Sequence, residues 1–95
     1  MTVEDSTLED IEIMRKRLIF RSWHRGTKEM DLLMGSFADT HVPDMDEGEL
    51  AQYEELLKEN DPNLYNWISG REEPPANVRS DVFERFMKHE YATSS

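Results

Sequence analysis

Signals that start or stop a helix recur all along this 95-residue chain, and between them no stretch alternates apolar and polar side chains as a half-buried strand does. Ser6-Thr7-Leu8-Glu9 has the form of a capping box, in which Ser6 serves as N-cap and Glu9 reaches back to its amide. Leu8, Ile11, Met14 and Leu18 come next at helical spacing, and Gly26 is placed to end this first helix in a left-handed conformation. A second helix is expected from about Thr27 to Ala38, with Met30, Leu33, Met34 and Phe37 on one stripe, until Thr40-His41-Val42-Pro43 breaks the pattern. A second box, Asp46-x-x-Glu49, opens a third helix through Leu50, Tyr53, Leu56 and Leu57. Asp61-Pro62 reads as an N-cap followed by proline at the first helical position, starting a short helix over Asn63 to Ser69 that Gly70 closes. Arg71 to Ala76 contains Pro74-Pro75, which a helix cannot cross. Asn77 is expected to cap the last helix, whose apolar side is Val78, Val82, Phe83, Phe86 and Met87. The implied fold class is all-α: a small five-helix bundle forming one domain over 1–95, ordered from about 8 to 91 and frayed at its ends.

Helices this short are marginal in water on their own, so their apolar stripes must pack on one another. Hydrophobic residues make up only 37% of the chain, but two Trp, three Tyr and four Phe supply bulky anchors for a thin core. One detail resists this scheme. At 100° per residue, Ile13 and Phe20 lie roughly opposite the Leu8/Ile11/Leu18 stripe. Coverage by another helix is the expected outcome; the alternative is an exposed apolar strip beside arginines, a composition typical of binding hot spots.

Twenty-one acids against eleven bases give a net charge of −10, which would repel a phosphate backbone over most of the surface. The charge is nonetheless segregated. Arg15, Lys16, Arg17, Arg21, Arg25 and Lys28 fall in a stretch without a single acid, whereas residues 29–61 hold eleven acids and only Lys58 as a base. A positive stripe on a negative body either pairs with the chain's own acidic segments or docks an acidic partner. The sequence contains no cysteine, so disulfides, thiolate zinc sites and thiol nucleophiles are excluded. No apolar run reaches the ~20 residues of a membrane span, so no direct membrane insertion is expected. The first twelve residues carry no base, as an Arg-rich transit peptide would, and a cytoplasmic location is expected.

Catalytic signatures are missing. No phosphate-cradling glycine loop occurs, and Asp44 to Glu49 lacks EF-hand spacing. His24, His41 and His89 are far apart in sequence, and Ser22 and His24, two residues apart, would lie on different helix faces. No catalytic residue and no metal site are assigned, and the chain is read as a non-enzyme. The distinctive segment is Trp23-His24-Arg25-Gly26-Thr27-Lys28-Glu29, at the junction of the first two helices. A glycine there permits close approach of another backbone, and Arg25 can fork onto a carboxylate or carbonyl. Arg17, Arg21 and Arg25, four apart, would form one ridge leading to that corner. The same ridge set on phosphates is the alternative reading, a small helical DNA-binding regulator, against which the net charge weighs.

Arg25-Gly26-x-x-Glu29 resembles the R-G-x-x-E motif of the SdhE family, the succinate dehydrogenase flavinylation factors. Arg21-Ser22-Trp23 before it and Glu29-Met30-Asp31-Leu32-Leu33-Met34-Gly35-Ser36-Phe37 after it match as well, as do Tyr53-Glu54-Glu55-Leu56-Leu57 and Asp61-Pro62-Asn63-Leu64-Tyr65-Asn66-Trp67. The likeness covers residues 14 to 70 or so; Thr27 stands where many bacterial members carry methionine, and His24 where they often carry a second arginine. The resemblance implies a five-helix assembly chaperone, monomeric when free, that binds the flavoprotein subunit of succinate dehydrogenase and in some members that of fumarate reductase. It would promote covalent attachment of FAD to that subunit while binding no cofactor stably itself. The implied partner-binding residues are Arg21, His24, Arg25, Gly26, Lys28 and Glu29: Arg25 and Glu29 as polar anchors, Gly26 for close approach, Arg21 and Lys28 for steering.

Overall fold

The computed structural model describes residues 3–89, with side chains from residue 10 onward. Five helices succeed one another: α1 (Val3–Ser22), α2 (Lys28–His41), α3 (Glu47–Leu57), α4 (Asp61–Ile68) and α5 (Asp81–Met87). Short 3-10 turns at Val42–Asp44 and Ala76–Val78 precede α3 and α5. No strand occurs among the described residues, so the all-α expectation holds. α1 packs against α2 and α3, while α5 closes the bundle against α3 and α4.

The helix boundaries differ from those expected of the sequence, each for a local reason. α1 begins at Val3, ahead of Ser6, whose side chain lies outside the described residues; residues 93–95, where fraying is expected, lie outside them too. The helix stops at Ser22, and Gly26 is not left-handed; among the described residues only Gly70 has a positive φ, 81°. α2 continues through Thr40-His41, because Pro43 lies beyond its last turn and is accommodated in the 3-10 turn. Asn60, not Asp61, caps α4: its side chain accepts from the Asn63 amide. Ser80, not Asn77, caps α5, since 76–78 form a separate turn. The Asp46/Glu49 box forms as expected, and bonds from the Asp46 amide and from Arg85 hold the Glu49 carboxyl below its ordinary pKa.

The core runs from Leu18 through Leu33, Met34 and Phe37 to Tyr53, Leu64, Phe83 and Phe86, all fully buried. Two interactions fix how α1 sits on it. The Tyr53 hydroxyl lies 2.5 Å from that of Ser22, which also donates to the Leu18 carbonyl. Burial pushes the Tyr53 phenol far above its ordinary value, against a weaker opposing effect of the Ser22 hydrogen bond. Next, the Trp23 indole lies on Gly35 in the middle of α2 and donates to Asp39 at 3.2 Å. A Cβ on Gly35 would stand 2.2 Å from the indole ring, so the glycine is there to seat it. The expectation that Ile13 and Phe20 are covered fails: they are 60% and 63% exposed, because α2 and α3 both pack on the other side of α1.

At the far end Phe37 is flanked by His41 and His89, with ring centroids at 4.5 and 5.4 Å, and the two imidazoles are 6.1 Å apart. His89 is bonded to Ser36 at 2.9 Å. Burial lowers both pKa values; Arg85 lowers that of His41 further against a weaker opposing pull from Asp44, and His41 lowers that of His89.

Two outcomes are expected. Gly35→Ala gains about 1 kcal/mol of helix propensity but loses about 1–3 kcal/mol through overpacking against Trp23; the urea midpoint falls, and an unchanged or higher midpoint would contradict the seat. For the histidines, a folded pKa below the unfolded value of about 6.5 means that stability is complete above that value and is lost as pH falls through it. The urea midpoint therefore declines between about pH 7.5 and 5.5, and the double variant His41→Gln/His89→Gln flattens that decline.

Candidate functional site

After Ser22 the chain turns through 23–27 into α2, where Thr27 is the N-cap and accepts from the Met30 amide. Two consecutive amides of this turn are each held by a carboxylate: Arg25 N donates to Asp31 and Gly26 N donates to Asp61 at 2.8 Å. The Arg25 side chain is spent in the same region. Its Nε donates to Asp61 at 2.8 Å, Nη1 to the Leu57 carbonyl at 2.9 Å and Nη2 to the Glu59 carbonyl at 2.8 Å. Leu57 closes α3, so the guanidinium sits at the negative end of that helix, while Asp61 occupies the positive end of α4. Capping by Asn60 is what frees Asp61 for this use. Arg25 and Asp61 are only 11% and 19% exposed, and they staple the α1–α2 corner onto the α3–α4 corner.

Gly26 belongs to the same arrangement. A Cβ there would lie 2.9 Å from the Asp61 carboxylate, so the close approach inferred from sequence is made by this chain's own side chain. The expected arginine ridge is also rearranged. Arg25 lies beyond the end of α1 and turns inward, whereas Arg17 and Arg21 both face Glu54 on α3, at 3.0 and 3.8 Å. Each of the three arginines thus meets a carboxylate of the same molecule, and the expected ridge is divided: Arg25 is turned inward, while Arg17 and Arg21 stay partly exposed beside Glu54.

What remains outward is different in kind. His24 stacks on Phe20 with centroids 4.0 Å apart and an interplanar angle of 19°, its Nδ1 bonded to the Phe20 carbonyl. Ile13, Lys16, Arg17 and Phe20 succeed one another along one side of α1, and His24, just past its end, stacks back on Phe20, giving an exposed apolar–aromatic face rimmed by bases. Around the corner, Lys28 and Glu29 are exposed in the first turn of α2, and neither makes an ion pair among the described residues. The six sequence-chosen residues are therefore divided: the Arg25 side chain is turned inward, Gly26 is exposed but has its amide tied to Asp61, Arg21 faces Glu54, and His24, Lys28 and Glu29 are exposed without an ion pair among the described residues. Asp61 was missed because its neighbour proline made it look like a cap, although Asn60 was an equally good one. Phe20 entered the sequence reading only as the less favoured alternative, because apolar residues at helical spacing ordinarily point inward.

Two surface clefts, of about 270 and 230 Å³, lie between α3 and residues 77–80 and beside the corner. Both fall below the roughly 300–1,000 Å³ of small-molecule pockets, so neither encloses a ligand the size of FAD. No His, Asp or Glu cluster among the described residues could hold a metal ion. Among those residues, too, no helix is long and apolar enough to cross a membrane.

If the guanidinium is a staple, removing it leaves a largely buried carboxylate and two helix-end carbonyls unpaired. Arg25→Ala is expected to cost about 3 kcal/mol in urea unfolding. Arg25→Lys recovers little, since one ammonium cannot reach three divergent acceptors. Full stability in Arg25→Ala together with weakened partner binding would show that the side chain serves another molecule instead.

Comparison with known proteins shows the family. The family model described as "Flavinator of succinate dehydrogenase" matches residues 16–90. Succinate dehydrogenase assembly factor 2, mitochondrial, from Dictyostelium discoideum is 35% identical over 85 residues, covering 90% of this chain and 60% of that protein. The protein of the same name from Cryptococcus neoformans is 37% identical over 86 residues, covering 90% and 49%. The FAD assembly factor SdhE of Acetobacter pasteurianus is 34% identical over 80 residues, covering 84% and 73%. The chain thus spans about half to three-fifths of the length of these two mitochondrial relatives and most of the bacterial one's. By the extent of these matches, the chain belongs to the family of succinate dehydrogenase flavinators.

Proposed function

We propose that this protein is an assembly factor that binds the flavoprotein subunit of succinate dehydrogenase and promotes covalent attachment of FAD to it. The observation that supports this most directly is the exposed face of α1. Phe20 and Ile13 present apolar surface that the fold leaves open, stiffened by the Phe20–His24 stack and bordered by Lys16 and Arg17. Aromatic and basic side chains in one patch are the composition of a protein–protein hot spot, and a net charge of −10 overall disfavours polyanions as the alternative occupant.

The mechanism we propose needs no reactive group on this chain. Gripping one conformer of the client's flavin site more tightly than another shifts their ratio tenfold for each ~1.4 kcal/mol of preference. The client's own groups then carry out the bond formation, and FAD remains the client's cofactor. The rigid corner matters because a binder discriminates between conformers only if its own surface does not adapt to both. We place the encounter in the cytoplasm; the mitochondrial names of several relatives mark the organelle as the other compartment in which such a client is assembled.

A variant that alters the face without touching the core separates this reading from a structural role. Phe20→Glu, at a 63% exposed position, is expected to keep the free energy of urea unfolding within about 0.5 kcal/mol of wild type. Its affinity for the isolated flavoprotein subunit should fall at least tenfold, and in cells lacking the wild-type protein it should fail to restore flavin fluorescence of the denatured subunit. Unaltered binding and flavinylation would remove the α1 face from the proposal. Failure of the wild-type protein to bind the subunit would end the proposal itself.

A further inference from the structure

Residues 77–80 form one wall of the cleft of about 270 Å³, and their backbone is incompletely bonded. After the turn at Ala76–Val78 the chain runs extended into α5, with Arg79 at φ −77°, ψ 121° and Ser80 at φ −138°, ψ 172°. The Arg79 amide is turned onto the Ala76 carbonyl at 3.2 Å, and the Ser80 carbonyl accepts from the Glu84 amide at 2.9 Å. In an extended chain the carbonyl before a residue and the amide after it face the side opposite to that residue's own N–H. For Arg79 these are the Val78 carbonyl and the Ser80 amide, and neither has a partner among the described residues. The facing wall is α3. There Leu56 is buried beneath the opening, and the half-buried Glu59 makes no ion pair among the described residues. Gln52 ties the walls together, its Oε1 accepting from the Val82 amide at 3.1 Å, while Glu84 holds the Arg79 guanidinium at 2.8 Å. The cleft is therefore formed before anything enters it.

We infer that this cleft receives a short extended segment of the bound client, added edge to edge to the backbone of 78–80. A guest residue lying alongside Arg79 gives its N–H to the Val78 carbonyl and takes the Ser80 N–H on its own carbonyl, the pairing of a single β-bridge. The walls select the guest. A helix has its backbone groups bonded internally and cannot pair there, so the segment is extended. Leu56 and the half-buried Val78 suit an aliphatic side chain, and Glu59 favours a lysine or arginine in the same segment and disfavours an acid. The inference rests on the reading of this protein as a factor that binds the flavoprotein subunit. It adds to that reading a second point of contact, on α3 and the start of α5, on different helices from the exposed α1 face. Two contacts on one client reinforce each other: once the first is made, the second forms at an effective concentration on the order of millimolar. A bridge too weak to hold a free peptide tightly therefore still contributes to the grip.

Two measurements test it. In the first, amide hydrogen exchange of the full chain is read residue by residue, free and in complex with the isolated flavoprotein subunit. The Ser80 amide is expected to exchange at least tenfold more slowly in the complex. If the wild type binds the subunit and the Ser80 rate is unchanged, the bridge fails while the proposed function stands. If the wild type does not bind the subunit, the proposed function fails, and the second measurement alone decides for or against the cleft. That measurement needs no client. Acetyl-Val-Lys-Val-amide, titrated into the full chain and followed by ¹H–¹⁵N NMR, is expected to shift the amides of Leu56, Val78 and Ser80 at millimolar concentrations. The same peptide methylated on the lysine backbone nitrogen lacks the N–H that the Val78 carbonyl accepts, and should bind at least fivefold more weakly. Acetyl-Val-Glu-Val-amide should also bind more weakly, and Glu59→Gln should narrow the preference for lysine over glutamate. No shift with the lysine peptide, or equal affinity for its methylated form, overturns the bridge.

Discussion

The contact between Arg25 and Asp61 is the constraint on which the rest of this structure depends. It joins the two places where the chain changes direction, and it does so by joining the ends of helices. A cation is placed at the carbonyl end of α3 and an anion at the amide end of α4, each favourable before the two meet. Burial of the pair would be costly if any polar group were left over, but Arg25 satisfies three acceptors and Asp61 two donors. In a thin bundle with short helices, such a stitch supplies the definition that a larger core would give by packing alone. It also explains the glycine beside it, since a side chain at 26 would occupy the space of the Asp61 carboxylate.

Because that stitch uses up the charge at the centre of the motif, the molecule's outward-facing chemistry is displaced to either side of it. On one side lies the α1 face with Phe20 and His24; on the other lie Lys28, Glu29 and the cleft beneath them. The motif is therefore best understood as a frame and its mounting. Arg25 and Gly26 hold the corner rigid, and the residues flanking them are what another protein would meet. Rigidity has a functional consequence, since a surface that is already in its bound shape spends none of its binding free energy on ordering itself.

Much of the fold was legible because helix periodicity and capping chemistry are local. The Asp46/Glu49 box, the closing turn at Gly70 and the apolar stripe of α2 all depend on residues within a few turns of one another. Where two residues could do the same local job, sequence reasoning chose wrongly. Asn60 and Asp61 are both good caps, and only the presence of Arg25, 36 positions earlier, decides which one is released for a tertiary bond. Gly35 is unreadable for a similar reason: a glycine inside a helix has no local purpose, and its partner Trp23 belongs to another element. Phe20 and Ile13 failed differently. Their spacing marks them as one face of α1, but whether a face is covered depends on how many neighbours the bundle can supply, and α1 has both of its neighbours on one side.

The same distinction bears on how a shared sequence motif should be interpreted. A short pattern such as Arg-Gly-x-x-Glu is naturally read as one site with one purpose, yet here its members answer to different constraints. The arginine and glycine are bound to Asp61 and the end of α3, so their replacement would change the shape of everything the corner presents, including surfaces they never touch. The glutamate has no such bond among the described residues and could be exchanged at little cost to the fold. Loss of partner binding on replacing Arg25 or Gly26 would therefore say little about where the partner sits. Loss on replacing Glu29 or Phe20, with stability unchanged, is informative about the interface, because neither side chain is needed to hold the bundle together.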